Sequence, residues 1–341
     1  MDKSRRTALQ SLAAVSAAAA VPGLVRAADA KVIKISHQFP GGSIDAGDFR
    51  DRLTRKFAAD VEKRTGGSLK FEIYPGSSLM KTVAQFSALR KGALDMSLYP
   101  LAYAGGEVAE LNLGLMPCMV TSYEQGMAWK KAEIGRELTK LLEARGVKIV
   151  TWIWQAGGTA SRVKPVVLPD DVKGLKIRGG SREMDLMLKE AGGIISSVPS
   201  NEIYPAMQTG SLDAAVTSST SLISFRLEEI SKGLTSGRGK SFWFMLEPLL
   251  MAKSTFDALT PAQQKAVQEV GESLESFATA SAKADDVAVA DVYRKVGAKV
   301  ADMDEATVNR WRSIAETAAW TDFAGRNSEC ERYLKMAKAV A

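Results

Sequence analysis

Apolar and polar residues alternate along several short stretches of this chain, and the segments between them repeat their apolar residues every three or four positions. Residues 31–37 (KVIKISH) and 69–74 (LKFEIY) have the two-residue period that is typical of strands. Residues 46–64, which lie between them, have helical spacing, with apolar side chains at Phe49, Leu53, Phe57 and Val61. The pattern predicts a strand, a helix and a second strand, with the helix ending before the glycine pair Gly66-Gly67.

The same alternation of strands and helices continues and then repeats further along the chain. After residue 74 the pattern predicts a helix at 83–91 and a strand at 94–99. A second series is predicted as strands at 147–154, 175–178, 193–199 and 214–217, with helices at 182–191 and 200–209. Strand–helix–strand series of this kind build largely parallel sheets covered by helices, and ligands bind beyond the carboxyl ends of their strands. The sequence therefore predicts an α/β fold of two similar units with a cleft between them.

A long helical pattern follows Thr260-Pro261. Residues 262–297 keep one mostly apolar face and contain no proline. At 1.5 Å per residue, one continuous helix would be about 54 Å long, which is enough to lie across both units. The alternative is a pair of helices separated near residues 284–286.

The first thirty residues have the features of an export signal. Arg5-Arg6 precedes an alanine-rich apolar run at 8–20, and Ala28-Asp29-Ala30 offers a small-x-small cleavage site. The paired arginines suggest the twin-arginine route. A membrane anchor is the alternative, but the apolar run is shorter than the ~20 residues of a spanning helix. We expect export to the periplasm, with cleavage near Ala30 and a mature protein that is not embedded in the membrane.

Composition narrows the function further. Without residues 1–30 the chain has 341 − 30 = 311 residues, which suits two domains, and its net charge falls from +6 to about +4. No runs of lysine or arginine are present, so nucleic-acid binding is not expected. Cys118 and Cys330 lack metal-ligand spacing, and both a disulfide and two buried free thiols remain open. We expect no metal and no cofactor.

One arginine stands out within the segment GLKIRGG, residues 174–180. Arg178 ends a short apolar strand and is followed by two glycines, which let a ligand approach the backbone closely. A guanidinium fork matches a carboxylate in charge and in shape. The alternative is a surface arginine in a β-turn.

Several segments together resemble the solute-binding proteins of TRAP transporters, of the DctP type. The resemblance covers nearly all of the chain after residue 30. It is carried by VEKRTGG (61–67), LKFEIYPGSSL (69–79), RKGALDMSLYP (90–100), LPDDVKGLKIR (168–178), EIYPAMQTGSLDAA (202–215) and FDALTPAQQKAV (256–267). Each segment is weak alone, and their order and spacing make the match strong.

The resemblance implies a two-domain α/β periplasmic binding protein, similar to type II, with a long helix spanning both domains. Domain I would comprise residues 31–155 and about 241–282, and domain II residues 156–240 and about 283–341. The family's carboxylate-binding arginine corresponds to Arg178. The implied partners are an organic acid and a TRAP permease with a small and a large membrane subunit.

The chain departs from sialic-acid-binding members of the family at two places. Ala160 follows Thr159 where those members have a second arginine, and Arg162 is only a candidate replacement. Thr217-Ser218 stands where many members have an asparagine. We therefore expect a small monocarboxylate with an apolar or aromatic tail, 2-oxo and 2-hydroxy acids being candidates.

Other residues are candidates for the cleft. The hydroxyls of Thr217 and Ser218 and the amide of Gln38 could donate hydrogen bonds. The remaining candidates are Tyr99, Trp154 and Trp243 as walls and Lys81 as a second positive charge. The alternatives are core packing for the aromatic residues and a solvated position for the lysine.

Two other classes of protein are alternatives to a transport receptor. An enzyme would depend on His37, the one histidine of the chain, and the serine-elbow, HExxH and CxxC motifs are all missing from the sequence. We therefore expect no catalytic residues. A binding protein that feeds a membrane sensor kinase would have the same fold and pocket.

Overall fold

The computed structural model describes residues 30–340, so the predicted export signal lies almost wholly outside the described part. The strands are β1 (Lys31–His37), β2 (Leu69–Tyr74), β3 (Met96–Leu98), β4 (Val147–Thr151), β5 (Trp154–Ser161), β6 (Lys176–Arg178), β7 (Ile194–Ile195), β8 (Ala214–Ser218), β9 (Gly233–Ser236), β10 (Phe244–Leu246), β11 (Leu249–Ala252) and β12 (Lys299–Asp302).

Helices connect and cover these strands. They are α1 (Phe49–Arg64), α2 (Gln85–Arg90), α3 (Tyr123–Trp129), α4 (Glu133–Ala144), α5 (Arg182–Glu190), α6 (Ile203–Gln208), α7 (Ser219–Ser224), α8 (Lys253–Asp257), α9 (Pro261–Ser273), α10 (Glu275–Lys295), α11 (Glu305–Ile314), α12 (Thr321–Arg326) and α13 (Ser328–Lys338). A π-helical turn, Ala315–Trp320, joins α11 to α12. No helix among the described residues combines the length and the apolar character needed to cross a membrane.

The strands form two sheets, and we call each sheet with its helices a lobe. The sheet of lobe I has the order β2-β1-β3-β11-β4, and that of lobe II has the order β12-β9-β5-β8-β6-β7, with β10 paired to β5. In lobe I, β1 is parallel to β2 and β3, whereas β11 is antiparallel to β3 and β4. In lobe II, β6 is parallel to β7 and β8, and β5 is antiparallel to β8 and β9. The two-unit α/β prediction is confirmed. The antiparallel strands β5 and β11 are those that the chain enters directly after it crosses from the other lobe.

Local patterns located the first elements closely. β1 and β2 have the predicted bounds, and the four apolar residues of α1 are buried. The helix begins at Phe49 rather than at residue 46, because the side chain of Asp48 accepts a hydrogen bond from the backbone N–H of Arg50 and caps the first turn.

The predicted strand at 147–154 is wrong in its continuity. It is interrupted at Trp152-Ile153, where the chain leaves the sheet of lobe I and enters that of lobe II. It crosses back at Glu247-Pro248, between β10 and β11. The strand predicted at 193–199 is reduced to Ile194–Ile195, an edge strand bonded only to β6 in the described chain.

The long helical run is confirmed from Pro261 to Lys295. A single residue, Leu274, separates α9 from α10, and the hydrogen bonds from Leu274 to Val270 and from Ala278 to Leu274 carry the helical path through it. No break occurs near residues 284–286. α9 packs on α1 and β4 of lobe I, and α10 packs mainly on α7, β5, β9 and β12 of lobe II while also contacting α1 of lobe I.

Cys118 and Cys330 are both buried free thiols, which decides between the two possibilities left open by the sequence. Burial raises the pKa of Cys118 to about 12 and that of Cys330 to about 11. Neither thiol is therefore ionised near neutral pH.

Candidate functional site at the interface of the two lobes

Arg178 ends β6 with its side chain buried at the interface of the lobes, 2 % exposed. The chain turns sharply beside it at Gly180, which has a φ of +98°. A Cβ at Gly180 would lie 2.7 Å from Nη1 of Arg178, so a larger residue would push against the guanidinium. The two glycines of the GLKIRGG segment thus leave space for the charged group that precedes them.

The guanidinium of Arg178 is held by neutral oxygens. Nε donates to the carbonyl of Val198 (3.0 Å), Nη1 to the carbonyl of Val216 (2.8 Å) and Nη2 to the hydroxyl of Tyr103 (2.6 Å). Arginine has five N–H donors, so one N–H on each terminal nitrogen has no acceptor within the described chain. Arg178 also forms no ion pair with any Asp or Glu of residues 30–340.

Asp185 is the carboxylate whose environment Arg178 influences. Its oxygens accept from the N–H of Gly179 (2.9 Å) and from the hydroxyl of Ser197 (2.6 Å). Burial raises the pKa of Asp185, and these hydrogen bonds and the charge of Arg178 offset that rise only in part. Neither oxygen of Asp185 forms a hydrogen bond or an ion pair with Arg178 in the described chain.

A groove of about 460 Å³ is lined by Tyr103 and Val198, two of the three residues that hold Arg178. It runs between the 3-10 turn Leu101–Gly106 and helix α5. Its walls are mostly apolar, and its charged lining residues are Arg182, Asp185, Lys189 and Arg326. The lining residues include Val83, Ala102, Tyr103, Ser181, Leu186, Lys189, Ile195, Val198, Pro199 and Arg326.

Thr217 and Ser218 are buried at the carboxyl end of β8, immediately after Val216. The hydroxyl of Ser218 accepts from the N–H of Ser221 (3.1 Å) and so caps α7. It also accepts from Nη1 of Arg50 (3.3 Å). Ser218 is therefore engaged within the protein.

Arg50 is a second buried guanidinium at the same interface, 1 % exposed. Nε and Nη2 donate to the two oxygens of Asp48 at 2.9 and 2.7 Å. Nη1 donates to Oε2 of Glu247 at 3.2 Å as well as to Ser218, and Nη2 donates to Ser221 at 3.0 Å. All five of its N–H groups are used, and they join lobe I to β8 and α7 of lobe II.

The two carboxylates around Arg50 respond to burial differently. Burial would raise the pKa of Asp48, but the charge and hydrogen bonds of Arg50 lower it below its usual value. Burial raises the pKa of Glu247 to about 7, because the attraction of Arg50 compensates only in part and Asp48 repels a second negative charge. The amide of Gln155 donates to the same oxygen of Glu247.

The aromatic candidates have different environments. Tyr99 follows β3, stacks on Phe86 with ring centroids 6.0 Å apart, and contacts Tyr103 edge to face. Trp154 packs edge to face on Trp129, which is core packing.

Trp243 lies over Gly157 on β5, where a Cβ would lie 2.4 Å from the indole. Its Nε1 donates to the carbonyl of Gly179, which adjoins Arg178. Of the predicted aromatic residues, Trp243 and Tyr99 are therefore connected to the surroundings of Arg178, whereas Trp154, the first residue of β5, belongs to the hydrophobic core.

The remaining predicted residues differ in burial and in their distance from Arg178 along the fold. Gln38 is buried after β1, whereas Lys81 is exposed at the start of a 3-10 turn. Arg162 lies beside Gly210, next to the start of β8 and away from its carboxyl end. His37 is buried against Phe39 and its Nε2 lies 3.2 Å from Asp51, so it belongs to the packing of lobe I. No group of three His, Cys, Asp or Glu side chains within residues 30–340 is arranged to hold a metal.

Sequence reasoning missed Tyr103, Arg50 and Glu247. Tyr103 and Arg50 had no local signal, because a tyrosine in a turn and an arginine in the first turn of a helix are ordinary surface residues. Glu247 did have a local signal in the sequence. It is the single charged residue of the apolar run 242–252, and a lone charge in such a run requires a buried partner.

Two α/β lobes joined by crossing strands, with a cleft bordered by the carboxyl ends of their strands, define the class of extracytoplasmic solute-binding proteins. The model of the bacterial extracellular solute-binding protein family 7, DctP, matches residues 46–325. A solute-binding protein of Albidiferax ferrireducens is 58% identical over 334 residues, covering 98% of each chain. The chain therefore belongs to the DctP family, the solute-binding proteins of TRAP transporters.

Two further comparisons agree with this membership. The crystal structure of a TRAP periplasmic solute-binding protein from Rhodoferax ferrireducens, with bound malonate, superposes with a TM-score of 0.89 and 60% identity, covering 90% of this chain and 98% of that one. The C4-dicarboxylate-binding periplasmic protein DctP of Rhodobacter capsulatus is 30% identical over 232 residues, 67% of each chain. The family consists of transport receptors, which confirms the prediction that the chain is not an enzyme.

Proposed function

We propose that this protein is a periplasmic receptor that binds a small organic acid through Arg178, in the cleft between its lobes, and delivers it to a TRAP permease of a small and a large membrane subunit. The lobes would be the two predicted domains, 31–155 with about 241–282 and 156–240 with about 283–341. The predicted export signal at residues 1–30 supports the periplasmic location.

One observation carries the proposal. Arg178 is a buried cation whose partners within the described chain are two carbonyls and one hydroxyl. A buried charge without a counter-charge is costly, and a carboxylate is the anion that suits a guanidinium with two free N–H groups. Malonate in the Rhodoferax structure and the C4-dicarboxylates of the Rhodobacter protein are small carboxylates, which supports this class of ligand.

The groove beside Arg178 supports a ligand with an apolar portion. Tyr103 and Val198 both hold the guanidinium and line the groove, so an acid bound there would have its tail against apolar walls.

A thermal-unfolding screen tests the proposal. The protein without residues 1–30 would be heated with each member of a set of aliphatic and aromatic carboxylates, next to matched amines and neutral alcohols. At least one carboxylate is expected to raise the Tm, and Arg178→Ala is expected to abolish the rise.

Arg310→Ala, which removes an exposed arginine of α11, is the matched control and should respond as the unaltered protein does. An acid that stabilises the Arg178→Ala protein as much as the unaltered protein would refute the assignment of the site. Stabilisation by amines alone would refute the class of ligand.

A further inference from the structure

Two buried polar side chains at the edge of lobe I have no hydrogen-bond partners. Gln38 and Tyr99 follow β1 and β3, which are paired with His37 opposite Leu98, so the two residues are neighbours beyond the ends of these strands. They are 1 % and 0 % exposed. Both amide atoms of Gln38 and the hydroxyl of Tyr99 lack a partner within residues 30–340.

Two more side chains extend this group. The N–H of Tyr99 donates to the carbonyl of Pro248 (3.1 Å). Glu247 directly precedes Pro248 in the chain, so its backbone lies near that of Tyr99. Oε2 of Glu247 accepts from Arg50 and Gln155, whereas Oε1 of Glu247 and Oε1 of Gln155 have no partner in the described chain. Gln38, Tyr99, Gln155 and Glu247 form what we call the lobe I polar edge.

Such atoms are unusual in a folded protein. A buried polar atom without a hydrogen bond costs roughly 1–3 kcal/mol, and native structures contain few of them. The lobe I polar edge has five, namely both amide atoms of Gln38, the hydroxyl of Tyr99 and one oxygen each of Gln155 and Glu247. Gln38 and Tyr99 follow the carboxyl ends of the parallel strands β1 and β3, where ligands of α/β proteins bind, so their free polar atoms are available to a ligand.

The polar edge lies close to Arg178. The ring of Tyr99 is 6.1 Å from that of Tyr103, centroid to centroid, and the hydroxyl of Tyr103 accepts from Arg178. On the other side, Glu247 binds Arg50, which binds Ser218, two residues after the carbonyl of Val216 that holds Arg178. A small molecule could therefore contact both.

We propose that the lobe I polar edge binds a hydroxyl group of the same acid whose carboxylate is bound by Arg178, so that the receptor selects hydroxycarboxylic acids. This inference rests on the function proposed above. The amide nitrogen of Gln38 and the hydroxyl of Tyr99 donate hydrogen bonds to the oxygen of the ligand hydroxyl. The free oxygens of Gln155 and Glu247 accept a hydrogen bond from its O–H group. A hydroxyl both donates and accepts, as this set requires.

Matched pairs of acids test the inference. Titration calorimetry would compare propionate with 2- and 3-hydroxypropionate, and butyrate with 3- and 4-hydroxybutyrate. At least one hydroxy acid is expected to bind about tenfold more tightly than its parent. Tyr99→Phe should weaken that hydroxy acid about tenfold and change the parent less than twofold. The inference is wrong if no hydroxy acid exceeds its parent, or if Tyr99→Phe weakens both alike.

A second tyrosine provides the control for folding. The hydroxyl of Tyr123, also buried, donates to Asp286 (2.6 Å) and accepts from the N–H of Ala156 (3.2 Å). Tyr123→Phe should lower the Tm and leave the preference for the hydroxy acid unchanged. Tyr99→Phe, which removes no hydrogen bond, should leave the Tm of the ligand-free protein unchanged, and a fall like that of Tyr123→Phe would count against a ligand role.

Arg178→Met separates this inference from the proposed function. It should abolish binding of parent and hydroxy acid alike. If Arg178→Met leaves the binding of butyrate intact, the proposed function is wrong. If Arg178→Met abolishes binding but Tyr99→Phe is not selective, only the role of the polar edge is wrong.

Discussion

Arg50 and Arg178 are both buried guanidinium groups at the interface of the lobes, but the chain completes the surroundings of only one of them. Arg50 donates all five of its N–H groups and has two carboxylates beside it. Arg178 has three hydrogen bonds, all to neutral oxygens. Burial is the same in the two cases, so it does not distinguish a structural arginine from one proposed to bind a ligand. The difference between them is the counter-charge, which Arg50 has and Arg178 lacks in the described chain.

The largest expected effect is the loss of stability when Arg50 is replaced. Arg50→Met would leave Asp48 and Glu247 buried without a cation, which should lower the free energy of unfolding by about 3–5 kcal/mol. Urea unfolding of the ligand-free protein measures this. The exposed Arg310→Met should change it by less than about 0.5 kcal/mol. A loss below about 1 kcal/mol for Arg50→Met would show that Arg50 does not brace the interface.

The pH dependence of stability tests the charge balance around Arg50. Burial raises the pKa of Glu247 from 4.5 to about 7, so between these values the folded state holds a proton that the unfolded state has released. Stability from this group therefore falls as the pH rises from 4.5 to 7, by up to about 3 kcal/mol.

Glu247→Gln cannot release a proton. Its free energy of unfolding, relative to that of the unaltered protein, should therefore increase over the same pH range. Chemical unfolding at a series of pH values measures the difference, and a difference that is flat or decreases with pH would mean that Glu247 is ionised throughout.

Arg178→Lys tests whether the fork or only the charge matters. Lysine keeps the positive charge but cannot form two parallel hydrogen bonds to a carboxylate. We expect the affinity for the stabilising acid to fall about 10- to 100-fold while the protein stays folded. Calorimetric titration measures this, with circular dichroism to check the fold. An unchanged affinity would indicate that a point charge is sufficient.

The smallest effect is expected at Tyr103. Its hydroxyl accepts from Arg178 (2.6 Å) and from the N–H of Ser200 (3.1 Å). Tyr103→Phe should lower the free energy of unfolding by about 1 kcal/mol and change the affinity for the acid by only a few fold. Urea unfolding and calorimetry on one preparation measure both. A loss of binding as large as that of Arg178→Ala would make Tyr103 a principal ligand contact.

Elements with a regular local pattern could be predicted from the sequence. β1, β2 and the buried face of α1 follow from spacings of two to four residues, and the helical run from Pro261 follows from its capping residue Thr260 and its unbroken apolar face. The strand predicted at 147–154 failed because its end depends on β10 and β11, about a hundred residues further along the chain.

The candidate site shows the same division. Arg178 could be proposed as a ligand-binding residue from GLKIRGG and from the family resemblance, since its strand and its glycines are neighbours in sequence. The hydrogen bonds of Arg50 between the lobes could not be predicted, because Arg50 is separated from Glu247 by 197 residues and from Ser218 by 168.

By itself, the sequence determined the two α/β units, the long helix, the family and the arginine that ends β6. These depend on periodicity and on short motifs, which neighbouring residues encode. Only the tertiary structure decided that Arg50 is neutralised and Arg178 is not, and that Gln38, Tyr99, Gln155 and Glu247 lie along one edge. The charge state and hydrogen bonding of a buried group depend on atoms that folding brings from distant parts of the chain.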